Sequence, residues 1–299
     1  MAKHLHVRHL HAGDTVSVYE VRCRPTDGCC GHEEYSTEHE VVFPRTGAFV
    51  KHVAGREVVA DADHVLFFNR HESYRISHPL PGGDDCTVFG FCDAALLDVV
   101  SHYDPPARDR PDKPFRWTHG PSESRCMLRH HQLRQCLRHA ETDQIAVDEY
   151  ALALLDEVVG DAYRIRGKRS PSERDDTARA HRDVAEAAKA FLAGRFRSRL
   201  GLADVARAVH SSPYHLARVF RRQVGLSIHQ YQTRLRLAAA LDRLADEPVS
   251  LTDLALDLGY SSHSHFSESF RRAFGIQPSG FRRSATVSRL RQMSTNLIA

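Results

Sequence analysis

Near the start of the chain, Cys23, Cys29, Cys30 and His32 gather three thiols and an imidazole within ten residues. Thiolate and imidazole donors together suit zinc or copper. The set has neither a CxxC pair nor a second ligand cluster, so a loop and strand edge with incidental thiols stands beside the metal- or thiol-sensing reading. His4, His6, His9 and His11 form two HxH pairs that would each share one face of a strand. A catalytic metal centre of that type needs a glutamate a few residues on, and Glu20 is too distant. No catalytic residue is therefore assigned, no cofactor is required, and the chain reads as a non-enzyme. Arg45, His52, Asn69, His71, Tyr74 and His78 are polar or aromatic residues spread over short β segments, placed to line the mouth of a small β fold, where ligand pockets commonly form.

A different chemistry is concentrated in the last third. From His181 onward there are 18 Lys+Arg against 9 Asp+Glu, leaving 23 basic and 29 acidic residues ahead of it. A basic unit on an acidic remainder is the charge pattern of a phosphate-binding module joined to something else. The arginines Arg218, Arg221, Arg222, Arg271, Arg272 and Arg282 are the candidates for phosphate contact.

What positions these arginines is a pattern that occurs twice, in Leu202–Tyr231 and again in Leu251–Phe281. Leu202, Val205, Ala206 and Val209 give one apolar helical face, and Ser212-Pro213 is an N-cap followed by a residue suited to the first turn of a second helix. That helix buries Leu216, Val219 and Phe220, turns Tyr214, His215, Ala217, Arg218 and Arg221 outward, and stops at Gly225. In the second copy, Leu251, Leu254, Ala255 and Leu258 line a helix and Gly259 makes the corner. Ser261 or Ser262 then caps a helix anchored by Phe266 and Phe270, with His263, Ser264, Ser267 and Glu268 outside and Gly275 closing it. Two helices at a tight corner, the second polar outside, read as a helix-turn-helix. Between the copies, Ile228, Tyr231, Leu235, Ala238, Leu241 and Leu244 predict an unbroken helix from Ser227 to Glu247, ending at Pro248. Its length of roughly 25–30 Å at 1.5 Å per residue is near one DNA turn.

The second copy, with Ala255, Gly259, Tyr260, Phe266, Phe270-Arg271-Arg272, Phe274-Gly275 and Pro278 ahead of Phe281-Arg282, resembles the AraC/XylS class of bacterial transcription regulators, over about a hundred residues from His181 to Arg283. The resemblance implies that Tyr214, Ala217 and Arg218 in the first unit, and His263, Ser264, Ser267 and Glu268 in the second, face base edges. Two positions depart from a strong reader: Ala217 offers only apolar contact, and Glu268 can accept from cytosine but repels phosphate. The resemblance also implies a cupin-like sensor barrel in front, a small-molecule effector, homodimerisation through the intervening helices and, for an activator, contact with RNA polymerase. A cupin enzyme fused to a DNA-binding module remains the enzymatic alternative.

The front of the chain agrees with a mixed α+β class. Residues 1–92 read as short strands: Thr15 to Val21, His39 to Phe43 and Ala48 to Val53 around a turn at Pro44–Gly47, then Glu57 to Ala60, His64 to Asn69, Tyr74 to Ser77 and Cys86 to Phe91. This spacing suits a barrel or jelly roll. Residues 93–166 read as a helical extension with helices at Asp93–His102, Ser122–Ala140 and Asp148–Ile165, which cover the β unit or join two subunits. Polar residues 167–180 read as a linker, 181–286 as the tandem helix-turn-helix unit and 287–299 as a tail. No run of eighteen apolar residues and no secretion signal are present, and seven cysteines form no regular framework, so the expected setting is the cytoplasm, away from membranes.

Overall fold

The computed structural model describes residues 4–25, 31–139, 143–166, 175–246 and 249–283. Its first part comprises β1 (His4–Ala12), β2 (Val16–Arg24), β3 (His39–Gly47), β4 (Phe49–Val53), β5 (Arg56–Ala60), β6 (His64–Phe68), β7 (Arg75–Ser77) and β8 (Asp84–Phe91). Helix α1 (Asp93–Tyr103), strand β9 (His119–Pro121), and helices α2 (Ser124–His139) and α3 (Gln144–Arg166) follow. The strands form a six-stranded sheet in the order β1-β2-β8-β3-β6-β9 and a three-stranded sheet in the order β5-β4-β7.

Alternation along the strands explains how the large sheet is covered on both faces. Val41, Phe43, Val65, Phe67, Phe89 and Phe91 point toward the helices and share a core with Leu96, Leu133, Tyr150, Leu154 and Val158. Their neighbours Val42, Leu66, Phe68, Cys86 and Val88 point the other way, to Phe49, Val58 and Ala60 of the small sheet. Of the two roles the sequence leaves open for the helices around Ser122 and Asp148, covering the sheet is what Leu133, Leu137, Leu155 and Val159 perform, while Met127 and Leu128 pack against the C-terminal half.

Three features depart from the sequence reading. The expected turn at Pro44–Gly47 is instead a continuation of β3: the register shifts between Pro44 and Thr46, so Arg45 is bulged out, and a bulge tolerates the missing proline N–H. The reversal falls at Gly47, whose φ of +75° suits glycine and where a Cβ would lie 2.0 Å from the Gly83 carbonyl oxygen. Strand β1, a histidine-rich edge paired with β2 and bulged between His9 and His11, lies ahead of the first strand segment named from the sequence, though its HxH pairs fit one, and β9, three residues paired with β6, was not expected as a strand. A His-Gly-Pro segment has no alternation to read, and only its partner makes it a strand.

The C-terminal half is helical: α4 (Asp175–Arg195), α5 (Leu202–Ala208), α6 (Pro213–Val224), α7 (Ile228–Asp246), α8 (Leu251–Asp257), α9 (His263–Phe274) and α10 (Pro278–Arg282). Helix α4 starts within the stretch expected to be linker; residues 167–174 and the tail beyond Arg283 lie outside the described residues. Two cores form here. Leu192, Val205, Leu216 and Phe220 make the first, and Leu254, Leu258, Phe266, Phe270 and Phe281 the second. Helix α7 enters both, through Tyr231 and Leu235 at its start and Leu237 to Ala245 further on. It is therefore a shared spine rather than a tether.

Candidate nucleic-acid interface

Helices α6 and α9 are built alike. Ser212 Oγ accepts from the His215 N–H at 3.2 Å, and Ser262 Oγ accepts from the His265 N–H at the same distance, so each helix has a serine N-cap three residues ahead of a histidine. Each ends at a glycine in the left-handed region, Gly225 at φ +85° and Gly275 at φ +72°. Leu216, Val219 and Phe220 anchor α6, and Phe266, Phe270 and Phe274 anchor α9.

The opposite faces carry the residues expected at DNA. Tyr214 is 78% exposed, and Arg218, Arg221 and Arg222 are exposed on α6, with Ala217 half-buried between them. His215 is half-buried, its ring 5.6 Å from that of His181. On α9, His263, Ser264, Glu268, Arg271 and Arg272 are exposed. Ser267 is half-buried and its Oγ lies 3.3 Å from His263 Nε2. Arg272 donates to Glu268 Oε1 at 2.6 Å, so the acidic residue holds one of the arginines beside it. Among the described residues no carboxylate pairs with Arg218, Arg221 or Arg271. Arg282 sits apart from this face, half-buried and donating to the Val249 carbonyl oxygen at 2.6 Å. His265, exposed at the start of α9 with its Nδ1 3.1 Å from Ser261 Oγ, is not among the outward positions expected from the sequence.

The two helix pairs are fixed to one another around the segment that joins α4 to α5. Gln232 and Arg236 of α7 both donate to the carbonyl oxygens of Phe196 and Ser198, at 2.7–3.0 Å. Between those two, the Arg197 carbonyl oxygen approaches Gly259 so closely that a Cβ there would be 2.1 Å away.

Buried charges fasten the spine α7 to the β-rich region. Arg45 donates to Asp242 at 2.7 Å, and Arg134 of α2 reaches Glu20 at 2.6 Å, Asp242 at 3.4 Å and Asp246 at 2.9 Å. Burial alone would weaken the Arg134 charge, but Asp242, Asp246 and Glu20 outweigh it and hold its pKa above the ordinary value. The neighbouring His130 and His131 are kept neutral, pushed far down by burial and by the positive charges of Arg45 and Arg134. Toward the start of α7, Tyr231 donates to Asp61 at 2.5 Å, Asp61 also accepts from His64 at 2.8 Å, and Lys189 of α4 is 3.1 Å from the other His64 nitrogen. Burial pushes Asp61 up, yet His64 and Lys189 outweigh it, leaving its carboxyl below the usual range. Asp63 faces Arg234 at 2.5 Å, and here burial wins, raising the carboxyl to about 6. Apart from Arg45 and the core position Tyr231, these residues carry no signal in the sequence, since an inward-facing charge looks like any surface charge until its partner is in place.

The six residues expected at a ligand-lining mouth have different surroundings. Arg45 belongs to the junction just described. His52 is 2.7 Å from Ser77 Oγ and 3.3 Å from Glu57 on the small sheet. Asn69 brackets Phe115, accepting from its N–H and donating to its carbonyl oxygen, beside a cleft of about 510 Å³ that Glu72, Arg110, Lys113 and Arg116 also line. His71 is exposed with φ +58°, and Tyr74 packs edge-on against Phe68. His78 is buried, 2.7 Å from Asp84. Of the four expected metal ligands, Cys23 is buried and His32 exposed; Cys29 and Cys30 lie outside the described residues. Cys23 lies close to His78 and Asp84 rather than to His32.

This helical half, with its two capped, arginine-bearing helices on one spine, defines a DNA-binding protein of the helix-turn-helix class. Residues 205–284 match the helix-turn-helix domain family. The chain is similar to the HTH-type transcriptional activator AarP of Providencia stuartii, 33% identical over 96 residues that make up 32% of this chain and 71% of AarP. It is also similar to the probable transcription factor PqrA of Proteus vulgaris, 33% identical over 76 residues, 25% of this chain and 62% of PqrA. Against the regulatory protein PocR of Salmonella typhimurium the match spans 40% of each chain at 27% identity. Among solved structures, the C-terminal domain of AraT from Geobacillus stearothermophilus is 26% identical, covering 34% of this chain and 84% of that one with a TM-score of 0.33. The chain belongs to the AraC/XylS family of transcription regulators.

Proposed function

We propose that this protein is a sequence-specific transcription regulator in which α5–α6 and α8–α9 act as two helix-turn-helix units, entering successive major grooves about 10 bp apart. The observation that carries this reading is the membership of α7 in both helical cores, which gives the exposed faces of α6 and α9 a fixed separation. Tyr214, Ala217 and Arg218 face bases from α6, and His263, Ser264, Ser267 and Glu268 from α9. Arg221, Arg222, Arg271 and Arg272 take phosphates. Arg282 supports this surface from behind through Val249. The test is selection of genomic fragments by the full chain, followed by footprinting. Two protected segments about one helical turn apart are expected, and no preference for any fragment at moderate ionic strength would end the reading.

The β-rich part, a cupin-like unit with its helical extension, serves as the effector-sensing region. The pairs that the buried Arg45 and Arg134 make with Asp242 and Asp246 support this, because a ligand that favours one arrangement of the β region acts directly on the spine of the DNA-binding half. Thermal-shift screening of small metabolites on the full chain tests it: a stabilising compound should also change affinity for the selected fragment, and one that leaves affinity untouched is not the effector.

A further inference from the structure

Cys23, His78 and Asp84 are buried together between the two sheets, and one donor atom from each lies within 4.8 Å of the other two. Cys23 and Asp84 are directly opposed across the β2–β8 ladder, and His78 follows the last residue of β7. His78 Nε2 is 2.7 Å from Asp84 Oδ1, with the Cys23 thiol beside the pair. We propose that these three side chains form a site for a single divalent ion of the zinc type, with the fourth position left to solvent or another small donor. The proposal stands on the geometry of the β region and does not depend on how the protein reads DNA.

Donor chemistry favours this class of ion. One thiolate, one neutral imidazole and one carboxylate are all ligands of zinc, and the two negative charges neutralise a dication, which a buried site requires. In a tetrahedral site with bonds of about 2.0–2.3 Å, donor atoms stand roughly 3.3–3.8 Å apart. The imidazole–carboxylate pair therefore needs to open by less than about 1 Å to admit the ion, which takes the place of the proton it now shares.

The surroundings hold the donors in place. Cys86, two residues along β8, donates from Sγ to Asp84 Oδ2 at 3.1 Å, which leaves Oδ1 directed at His78. Arg24 Nη1 donates to the carbonyl oxygens of both Cys23 and Asp84, at 3.0 and 2.9 Å, clamping the ends of the two strands. Gly83, at φ +71°, fits under the Cys23 carbonyl oxygen where a Cβ would be 1.9 Å away, so the turn that presents Asp84 is fixed against the strand that presents Cys23. His32, which the sequence associated with Cys23, is exposed and is no part of this group.

The experiment uses the full chain, reduced and stripped with chelator, then titrated with Co²⁺ as a spectroscopic stand-in and with Zn²⁺ in competition. One ion per chain is expected, with thiolate-to-cobalt charge-transfer absorption and the intense visible bands of tetrahedral cobalt. Cys23→Ser should abolish the charge-transfer band, His78→Gln and Asp84→Asn should each lose the tetrahedral bands, and Cys86→Ala should keep both while weakening binding about 10–100-fold. A triple variant with His6, His9 and His11 changed to Asn should leave all of it unchanged, separating the site from the histidine-rich edge strand. Far-UV circular dichroism identifies any variant that fails to fold, and the other two ligand variants then carry the test. Wild-type protein without a thiolate band would overturn the proposal. So would a band that survives in folded Cys23→Ser, since it would assign the ion to other thiols of the chain.

Discussion

Arg45 Nη1 donates to Asp242 Oδ1 at 2.7 Å, joining two residues 197 positions apart in the chain. Arg45 is the bulged residue of β3, and Asp242 lies on the spine that both helix pairs share. Without the bulge Arg45 would keep the strict alternation of β3 and its partner strand; with it, the guanidinium is aimed off the sheet into a junction that also holds Glu20 and Arg134. The four groups leave little free charge at the contact between the two halves, so a shift of either half unpairs a buried charge. Unpairing a buried charge is expensive, so the junction resists small displacements of one half against the other.

Removing Arg134 should therefore be costly. Arg134→Met leaves Glu20 buried beside Arg45 alone and frees Asp246 from its buried partner. The expected loss is about 3–5 kcal/mol of unfolding free energy. Arg207→Ala, which removes an exposed pair with Asp204 at 3.4 Å, should cost no more than about 1 kcal/mol. Urea denaturation of the two variants decides the matter, and equal losses would mean the junction is as wet as the surface.

The reading face makes two separable predictions. Arg218→Ala should weaken binding by about 1–3 kcal/mol, more on the selected fragment than on random DNA. An equal loss on both would place Arg218 on a phosphate. Glu268→Gln should do the reverse at α9: it releases Arg272, a proposed phosphate contact, from its 2.6 Å pair and removes a negative charge from the DNA-facing side. Affinity for random DNA should rise and the salt dependence steepen by about one unit of slope. Fluorescence anisotropy over a salt series reads both.

Much of this helical architecture was legible in the sequence, because its signals are local. Ser212, Ser262, Gly225, Gly259 and Gly275 cap or turn helices for reasons set by their own backbone, and Phe266 and Phe270 recur at helical spacing. The β-rich half was legible in its strands but less so in its joints. Pro44 and Gly47 look like a turn until pairing with β8 shows the proline beside a bulge, and His119 to Pro121 becomes a strand only against β6. The candidate pocket residues were the hardest to place. Arg45 and His78 are polar residues in β segments, and whether such a side chain faces a ligand, a helix or a cysteine depends on partners tens to hundreds of positions away.

Lys51 supplies a pH signature for the β region. Its ammonium group is buried, donating to the Phe67 carbonyl oxygen at 2.7 Å and lying 3.5 Å from the centre of the Phe68 ring. Burial pulls it from its ordinary 10.5 down to about 7, against the pull of Glu72 and Glu40. Between those values the unfolded chain holds a proton that the folded one has released, so stability rises with pH across the window and falls back as pH drops toward 7. Measured against Lys51→Met, wild-type stability should climb by up to about 1.4 kcal/mol per pH unit between about pH 7 and 9. A constant difference over that range would show that the ammonium stays charged inside.

Gly259 and Gly225 test the link between the two helix pairs, since they share a conformation and differ in what surrounds it. Both have positive φ, +81° and +85°, which costs an ordinary L-residue about 1–2 kcal/mol. Around Gly225 nothing lies within 4 Å of an added Cβ, whereas at Gly259 the Arg197 carbonyl oxygen would be at 2.1 Å. That carbonyl cannot easily withdraw, because the peptides on either side of it are held by Gln232 and Arg236. Gly225→Ala should therefore lose only the backbone contribution. Gly259→Ala should lose clearly more, by about 1–3 kcal/mol on the scale of overpacked cores. It should also displace the α8–α9 pair relative to α5–α6, so that footprinting shows one protected segment fading while the other remains. Equal destabilisation by the two substitutions, with both segments still protected, would mean that the contact at Arg197 does not set the spacing of the reading helices.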